Sequence, residues 1–406
     1  MSRLSNDQNG GEVVWQRFNA KLSDSDLDDE DDMYFDRLEY KNLTPEMEKV
    51  APLSRVPVIL YWNEYFFNEF KNFVLKDPSK ISCPYKCNHT MDRKLGSIAD
   101  IRNPKALNIY YTLEPPYLTY SKYHRPNDVN PNYFNYTGSY RTRSYIYYPY
   151  DKFVPLDGKE KPEEFWTDKQ VEEKVAGKTK AALIAMSNCG AESARHEYVR
   201  KLKEFINVTR VGKCDGNVQC DKDSAGKALR VDMDCMQQLN DEHHFYLAFE
   251  NSVCPEYTSE KFWRMKQLIV PVVLSRAAVP KHVPQDTYIA ASDFDSPKDL
   301  ANFLKQLMED KEQYKKYFGW TKLYKKTRLT EEEIKVSCQL CKLAHKQPTH
   351  QIANYKGHWT KHECVEKFAV KLIDNSPDNI NSARCAEKRL EKLMLNSYRD
   401  RNLNEF

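Results

Sequence analysis

The sequence has no long apolar run and almost no net charge. No segment approaches the ~18 consecutive apolar residues of a membrane-spanning helix, and none has the pattern of a signal peptide. The 62 lysines and arginines nearly balance 59 aspartates and glutamates, which leaves a net charge of +3. A nucleic-acid-binding protein would concentrate basic charge, so we expect no nucleic-acid partner. The sequence also has no internal repeat.

Cysteines and aromatic residues, in contrast, are plentiful. Of the 406 residues, 40% are hydrophobic and 12% aromatic, enough to bury substantial cores in two or three domains. The 11 cysteines include the close pairs Cys83/Cys87, Cys214/Cys220 and Cys338/Cys341. Glycosylation sequons occur at Asn42, Asn88, Asn135 and Asn207. Cysteine density together with sequons indicates an oxidising compartment.

The stretch His244–Ser275 has a strand–helix–strand pattern. Apolar residues alternate over Phe245–Phe249, as in a strand. After a polar loop, Thr258 is a suitable helix N-cap, and residues 269–274 predict a second buried strand. A parallel crossover places its loop and helix start at the carboxyl edge of a sheet, where N–H groups and the helix dipole favour an anion. With Lys261 at that end the pattern predicts a phosphate site; the alternative is an ordinary loop with a solvated lysine.

Three pieces of this stretch, FYLAFENS, EYTSEKFW and VPVVLS, closely resemble the signature of the α1,3-fucosyltransferases. In that family the signature binds the nucleotide of GDP-fucose. The resemblance implies that Lys261 binds the phosphates and Glu260 the ribose. It implies a donor site formed by Glu250, Asn251, Tyr257, Glu260 and Lys261. In one departure, Leu268-Ile269 and Ser275 stand where the family usually has glycines, which affects the expected loop shape rather than the site.

The resemblance extends over about residues 80–330. The element NYFNYTGSYRTRSYIYYPY, residues 132–150, is similar to the family's F-N-x-T-x-x-Y-R-x-x-S-x-I-x-x-P-Y. Strand and helix patterns alternate in both halves of the chain, which is typical of α/β folds. The resemblance implies an α/β fold with two Rossmann-like domains facing a cleft, the GT-B type.

Four segments are expected along the chain. Residues 1–50 are polar and rich in aspartate, which predicts a disordered acidic stem; an acidic docking tail is the alternative. Residues 51–165 are expected to form an acceptor-side α/β domain, and residues 166–330 a GDP-fucose-binding Rossmann-like domain. The charged segment 151–178 is interpreted as a hinge. Residues 331–406 are expected to form a tail that packs back on the N-terminal domain.

Fucosyl transfer with inversion needs a base for the acceptor hydroxyl and positive charge for the departing GDP. Glu114 is the candidate base, because it ends a predicted strand where the family has E-S-P and this chain has Glu114-Pro115-Pro116. Arg195 follows Asn188-Cys189 at the family's N-C-x-x-x-x-x-R spacing, and an arginine fork suits pyrophosphate. The alternatives are a solvated strand-end glutamate and a helix-surface arginine.

No obligatory metal is expected. Asp232-x-Asp234 matches a D-x-D motif only superficially, because it lies in the polar segment between Cys214 and Cys235, which we interpret as a surface insertion. Arg195 and Lys261 could neutralise a pyrophosphate without a metal, so Mn²⁺ or Mg²⁺ would be stimulatory at most.

Two other classes of function compete with transfer. One is a zinc-binding interaction module, since the tail has zinc-ligand spacing at Cys338, Cys341, His358, His362 and Cys364. Against it, the gap between the pairs exceeds the usual ~12–15 residues, and family members use a C-terminal C-x-x-C in disulfides. The other class is a sugar-binding protein without turnover, which the presence of both Glu114 and Lys261 disfavours.

The pairing of four cysteines remains open from the residues alone. Cys83, Cys87, Cys338 and Cys341 allow three pairings. Cross-links between the two clusters would constrain the unfolded chain by roughly 4–5 kcal/mol in the entropic model, and the resemblance implies such links. We therefore predict that disulfides cross-link the tail to the N-terminal domain.

Acceptor and location follow from the resemblance alone. It implies GDP-fucose as donor and O3 of a GlcNAc on a glycoprotein N-glycan as acceptor. The core GlcNAc is favoured because LAFENS is closer to the core-type branch; an outer lactosamine GlcNAc is the alternative. Family members are Golgi-resident with one N-terminal membrane anchor, so we expect a Golgi-lumen enzyme; either the anchor is absent from this sequence or the protein is a soluble form.

Overall fold

The computed structural model describes residues 56–60, 83–90, 92, 94, 108–122, 133–218, 220, 233–329, 336–345, 352, 359, 363–373 and 376–402. The predicted stem and the sequon at Asn42 lie outside these residues. The described strands are β1 (Val58–Leu60), β2 (Asn88–Thr90), β3 (Ile109–Thr112), β4 (Tyr136–Ser139), β5 (Ile146–Tyr147), β6 (Lys180–Ala185), β7 (Val208–Val211), β8 (His243–Leu247), β9 (Val270–Val273) and β10 (Ile289–Ala290). The described α-helices are α1 (Pro116–Lys122), α2 (Asp168–Ala176), α3 (Arg195–Leu202), α4 (Met233–Glu242), α5 (Pro297–Glu309), α6 (Lys311–Lys316), α7 (Val336–His345) and α8 (Pro377–Asn402).

The largest sheet has five parallel strands in the order β10–β9–β8–β6–β7. Every residue of β8 and β9 is buried, as expected for parallel strands covered on both faces. From β6 the chain moves outward to β7 and then returns to β8 on the other side of β6. The strand order therefore reverses between β6 and β8, and the loops that leave their carboxyl ends meet at this switch point.

Two smaller parallel sheets precede it in the chain, β1–β2 and β3–β4–β5. In the second, Tyr111 pairs with Gly138 and Thr112 with Ser139. A Cβ atom on Gly138 would lie 2.6 Å from the Tyr111 ring, so the close packing of β3 on β4 requires glycine there. The predicted α/β class with parallel sheets is confirmed.

The predicted helix start at Thr258 is wrong. Thr258 caps no α-helix, because Glu250 accepts a hydrogen bond from the neighbouring Ser259 N–H and shapes the segment as a loop. A 3₁₀ helix, Phe262–Gln267, follows instead, and Leu268 ends it with φ 59°. The segment predicted as a hinge contains α2, whose Val171 and Val175 are buried.

The tail is bonded covalently to the N-terminal part of the chain. Disulfides join Cys83 to Cys338 and Cys87 to Cys341, so the structure has one of the two cross-linked pairings. Helix α7, which carries the two tail cysteines, packs Leu340 against Ile59 and Ile146 in a small apolar cluster. The remaining disulfides are Cys189–Cys214, Cys220–Cys235 and Cys254–Cys364, and Cys385 is an exposed free thiol.

These disulfides contradict the zinc interpretation. Zinc binds thiolate sulfur, whereas Cys338, Cys341 and Cys364 are each bonded to another cysteine. His358 and His362 lie outside the described residues. Among the helices that the structure describes, none combines the length and apolar character needed to cross a membrane.

Candidate active site

Arg195 occupies the switch point of the large sheet. It is the first residue of α3, directly after the loop that leaves β6, and it is 3% exposed. Its Nη1 donates to the Phe249 carbonyl at 2.6 Å, while Nε has no hydrogen-bond partner among the described residues. Burial lowers the pKa of Arg195, and the Glu250 carboxylate opposes that shift. A buried arginine with donor capacity to spare can bind an anion.

Glu250 organises the loop that follows β8. Its Oε1 accepts hydrogen bonds from Ser259 N at 2.8 Å and Ser259 Oγ at 2.7 Å. Its Oε2 lies 3.2 Å from Lys261 Nζ. The backbone carbonyls of Glu250 and Asn251 accept from Ser193 Oγ and Ser193 N, which ties this loop to the loop before α3. The side-chain contacts of Glu250 therefore shape the loop and orient Lys261.

Lys261 and Glu260 form an ion pair at the rim of the site. Lys261 Nζ lies 3.1 Å from Glu260 Oε1, and the Glu260 side chain is 49% exposed. Burial would lower the pKa of Lys261, but Glu250 and Glu260 raise it above its usual value. Burial would raise the pKa of Glu260, but the charge of Lys261 lowers it to about 2. Both groups are charged at neutral pH, and the half-exposed Glu260 can accept hydrogen bonds from a ligand.

Tyr257 lies near both this cluster and Glu114. It is 4% exposed, and burial raises its pKa well above 10, with further contributions from the nearby Tyr150, Glu250 and Glu114. Glu114 follows the end of β3, where its N–H donates to Thr112 Oγ1 at 3.1 Å. Tyr150 OH donates to the Leu113 carbonyl at 2.8 Å. The structure thus brings Glu114 close to the loop that carries the predicted donor residues.

Asn251 lies beside Glu250 in the same loop, whereas the other residues singled out by the sequence lie elsewhere. Asn251 Oδ1 is buried with no hydrogen-bond partner among the described residues. Asp234 is exposed at the start of α4, and Asp232 lies outside the described residues. Of the sequons, Asn88 and Asn207 are exposed, whereas the Asn135 side chain accepts a hydrogen bond from Asn108 N at 2.7 Å.

Sequence reasoning missed two buried carboxylates beside the site. Glu256 accepts hydrogen bonds from Thr142 N at 2.5 Å and Thr142 Oγ1 at 2.8 Å, and it adopts φ 63°. Glu363 pairs with Arg141 and with Arg143. Glu256 is the first residue of the matched piece EYTSEKFW but was given no role, whereas Glu363 lies outside the signature. Only the Tyr-Arg of the element at residues 132–150 gave a signal for one partner.

Comparison with known proteins identifies the family. The model "Glycosyltransferase family 10 (fucosyltransferase) C-term" matches residues 175–359. Alpha-(1,3)-fucosyltransferase fut-1 of Caenorhabditis elegans is 30% identical over 317 residues, which cover 73% of this chain and 69% of that protein. The chain belongs to glycosyltransferase family 10.

Other relatives of this family 10 chain carry different acceptor names. Glycoprotein 3-alpha-L-fucosyltransferase A of Drosophila melanogaster is 34% identical over 59% of this chain, which spans 48% of that relative. The 4-galactosyl-N-acetylglucosaminide 3-alpha-L-fucosyltransferase FUT6 of Pan troglodytes is 31% identical over 66% of this chain and 74% of the relative. The family match includes Arg195 and all the predicted donor residues but not Glu114.

Proposed function

We propose that the protein is an inverting α1,3-fucosyltransferase that transfers L-fucose from GDP-β-L-fucose to O3 of a GlcNAc residue. The observation that carries this proposal is the convergence of Arg195, Lys261 and Glu260 at the switch point, with Glu114 also near Tyr257. A donor with a pyrophosphate and a ribose needs two cations and a hydrogen-bond acceptor, and this arrangement supplies them.

Each donor residue is assigned to a different part of the nucleotide. Arg195 binds the pyrophosphate through its fork, and Lys261 is the point charge beside it. Glu260 accepts from the ribose hydroxyls, Asn251 and Tyr257 line the site, and Glu250 holds Lys261 in place. Because two cations face the pyrophosphate, no metal is obligatory, and Mn²⁺ or Mg²⁺ is stimulatory at most. Full activity in excess EDTA is the expected result; complete loss would contradict this assignment.

Glu114 acts as general base. As O3 of the acceptor attacks the anomeric carbon, the Glu114 carboxylate takes the O3 proton and the bond from that carbon to the GDP oxygen breaks. GDP leaves with the bonding electrons from the face opposite the attack, so the β-linked donor gives an α-linked product. The developing charge on GDP is stabilised by Arg195 and Lys261, which are already in place.

The architecture we propose is a GT-B pair of Rossmann-like domains, residues 51–165 on the acceptor side and 166–330 on the donor side, with the tail 331–406. The five disulfides support a location in an oxidising compartment, and we propose the Golgi lumen. The partners are GDP-fucose and a glycoprotein acceptor.

The favoured acceptor is the core GlcNAc of an N-glycan. The relative named a glycoprotein fucosyltransferase supports this choice. The alternative, an outer lactosamine GlcNAc, is supported by the relative named a 4-galactosyl-N-acetylglucosaminide fucosyltransferase.

A product assay tests both the reaction and the acceptor. Purified protein is incubated with GDP-fucose and a panel of N-glycans and lactosamines, and products are sequenced by mass spectrometry. Fucose on O3 of the core GlcNAc supports the proposal, and fucose only on outer GlcNAc supports the alternative. GDP binding without transfer or GDP-fucose hydrolysis would overturn the enzyme assignment in favour of a binding protein.

A further inference from the structure

A segment of the tail passes along the candidate site and is bonded to both donor-side loops. We refer to residues 363–373 as the strap. Val365 N donates to the Val253 carbonyl at 2.8 Å, in the loop after β8. Lys367 N donates to the Glu192 carbonyl and Ala369 N to the Ser193 carbonyl, both at 3.0 Å, in the loop before α3. The strap therefore contacts the two loops that carry Arg195 and Glu250.

The strap also has a covalent bond to the donor side and an ion pair to the acceptor side. Cys364 is disulfide-bonded to Cys254. The adjacent Glu363, 5% exposed, pairs with Arg141 and lies 2.6 Å from Arg143 Nη2. Arg141 is itself 3% exposed and lies over the Trp359 ring at 4.2 Å. Glu363 is thus a buried carboxylate that joins two chain segments 220 residues apart.

The loop after β8 binds the same acceptor-side segment through a second carboxylate. Glu256, two residues after Cys254, accepts both hydrogen bonds from Thr142. Three consecutive residues, 141–143, are therefore held by Glu256 and Glu363. The Cys254–Cys364 disulfide joins the two chain segments that carry these glutamates. We refer to Glu256, Glu363 and this disulfide together as the clamp.

The clamped segment is directly linked to Glu114. Residues 141–143 follow β4, and β4 pairs with β3 in register from Ile109↔Tyr136 to Thr112↔Ser139. Glu114 lies two residues beyond the end of β3. Tyr140, the residue before the clamped segment, packs its ring 5.1 Å from that of Tyr257. Movement of residues 141–143 would displace the strand pair that presents Glu114 to the donor.

We propose that Glu363 and the Cys254–Cys364 disulfide are positioning elements that fix Glu114 relative to the bound donor. This inference rests on the proposed function, because it assigns a role in transfer. Glu363 acts through Arg141 and Arg143 and touches no substrate. Buried ion pairs contribute little to net stability compared with apolar packing, and specifying one geometry is a role attested for some of them. Transfer is sensitive to such geometry, since small misplacements of reacting groups slow it greatly.

The test compares Glu363→Gln with Glu366→Gln, an exposed glutamate on the same strap. Both remove one charge and keep the side-chain shape. We expect Glu363→Gln to lower kcat for transfer at least tenfold while the Kd for GDP changes less than twofold, and Glu366→Gln to match wild type. The paired change Cys254→Ser and Cys364→Ser should lower kcat similarly, and adding Glu363→Gln should lower it little further, because one clamp is broken in each case.

A second variant addresses the case in which Glu363→Gln folds poorly. A second measurement addresses the case in which the wild-type protein is inactive. Arg143→Gln leaves the ion pair between Arg141 and Glu363 in place, so it should lower kcat less than Glu363→Gln does. Hydrogen exchange needs no activity: in Glu363→Gln, peptides covering β3 and β4 should lose protection while those covering β6 and β8 keep it.

Three results would overturn the clamp. They are unchanged kcat and exchange in Glu363→Gln, equal losses of GDP affinity and kcat accompanied by a fall in Tm, or loss of protection throughout the large sheet. If wild-type protein transfers no fucose, the proposed function fails separately, and the exchange pattern alone decides whether the clamp exists.

Discussion

The donor and acceptor sides of the proposed site are held by contacts of different range along the chain. On the donor side, the Glu250 carboxylate bonds to residues at most eleven positions away, Ser259 and Lys261, although its backbone carbonyl also accepts from Ser193. On the acceptor side, Thr142 is bonded to a residue 114 positions away and Arg143 to one 220 positions away. Disulfides with sequence separations of 255 and 254 residues fix the adjoining β1–β2 region to α7.

This difference has a functional consequence. A short motif with mostly local contacts can form the nucleotide site within one sheet, whereas the base is positioned only when distant parts of the chain are assembled. Breaking the disulfides between α7 and the β1–β2 region should therefore spare nucleotide binding and impair transfer.

Replacing the base should give the largest effect. Glu114→Gln keeps the shape of the side chain and removes the proton acceptor, so transfer should fall by roughly 10²–10⁴. GDP affinity should stay near the wild-type value, because the pyrophosphate cations are untouched. Steady-state kinetics with isothermal titration calorimetry measures both. Retention of most of the activity would remove Glu114 from the mechanism.

The tail disulfides should matter for stability and for the acceptor side. Serine at Cys83, Cys87, Cys338 and Cys341 should lower the free energy of unfolding by about 4–5 kcal/mol, measured by denaturant titration. The protein that remains folded should still bind GDP but transfer fucose poorly. Cys385→Ser, which removes the exposed free thiol, is the matched control. Equal stability of the two variants, or Cys338 linked to Cys341 in non-reducing peptide maps, would contradict this prediction.

The local part of the donor side was predictable from sequence, and the rest was not. The strand–helix–strand pattern predicted that the loop after β8 and the start of the crossover lie at the carboxyl edge of the sheet, and the resemblance assigned Glu250 and Lys261 to the donor site. The predicted α-helix start at Thr258 was wrong: the Glu250 carboxylate binds both the N–H and the hydroxyl of Ser259 and holds this segment as a loop, and a 3₁₀ helix begins only at Phe262. The contacts of Glu256 and Glu363 escaped prediction because they join loops that no periodicity relates.

A smaller effect is expected for the donor-side lysine. Lys261→Ala removes a charged contact to phosphate worth roughly 1.5–3 kcal/mol, so GDP affinity should fall about tenfold or more. Glu250 and Glu260 also lose their cation and would repel the pyrophosphate. Lys298→Ala, on the exposed face of α5, is the control. Unchanged GDP binding by calorimetry, with the fold intact, would exclude Lys261 from the donor site.

A pH-dependent effect is expected for a buried carboxyl in the loop before α3. Glu192 is 8% exposed, and burial raises its pKa from 4.5 to about 8, with a further increase from Glu366 and opposition from a Ser252 hydrogen bond. A carboxyl whose pKa is raised on folding keeps its proton in the folded state. Its contribution to stability is therefore fully present below pH 4.5 and is lost as the pH rises towards 8.

Glu192→Gln cannot ionise, so it should remove this pH dependence. Between pH 4.5 and 8 the free energy of unfolding of wild type should fall relative to the variant by up to about 1.4 kcal/mol per pH unit, since one proton is involved. Denaturant titrations at a series of pH values measure the difference, and Glu173→Gln, on the exposed face of α2, should run parallel to wild type. The strap binds the Glu192 carbonyl, so ionisation of this side chain should loosen the donor loops first. If the free energy of unfolding of Glu192→Gln had the same pH dependence as that of wild type, Glu192 would ionise normally and the loop before α3 would tolerate its charge.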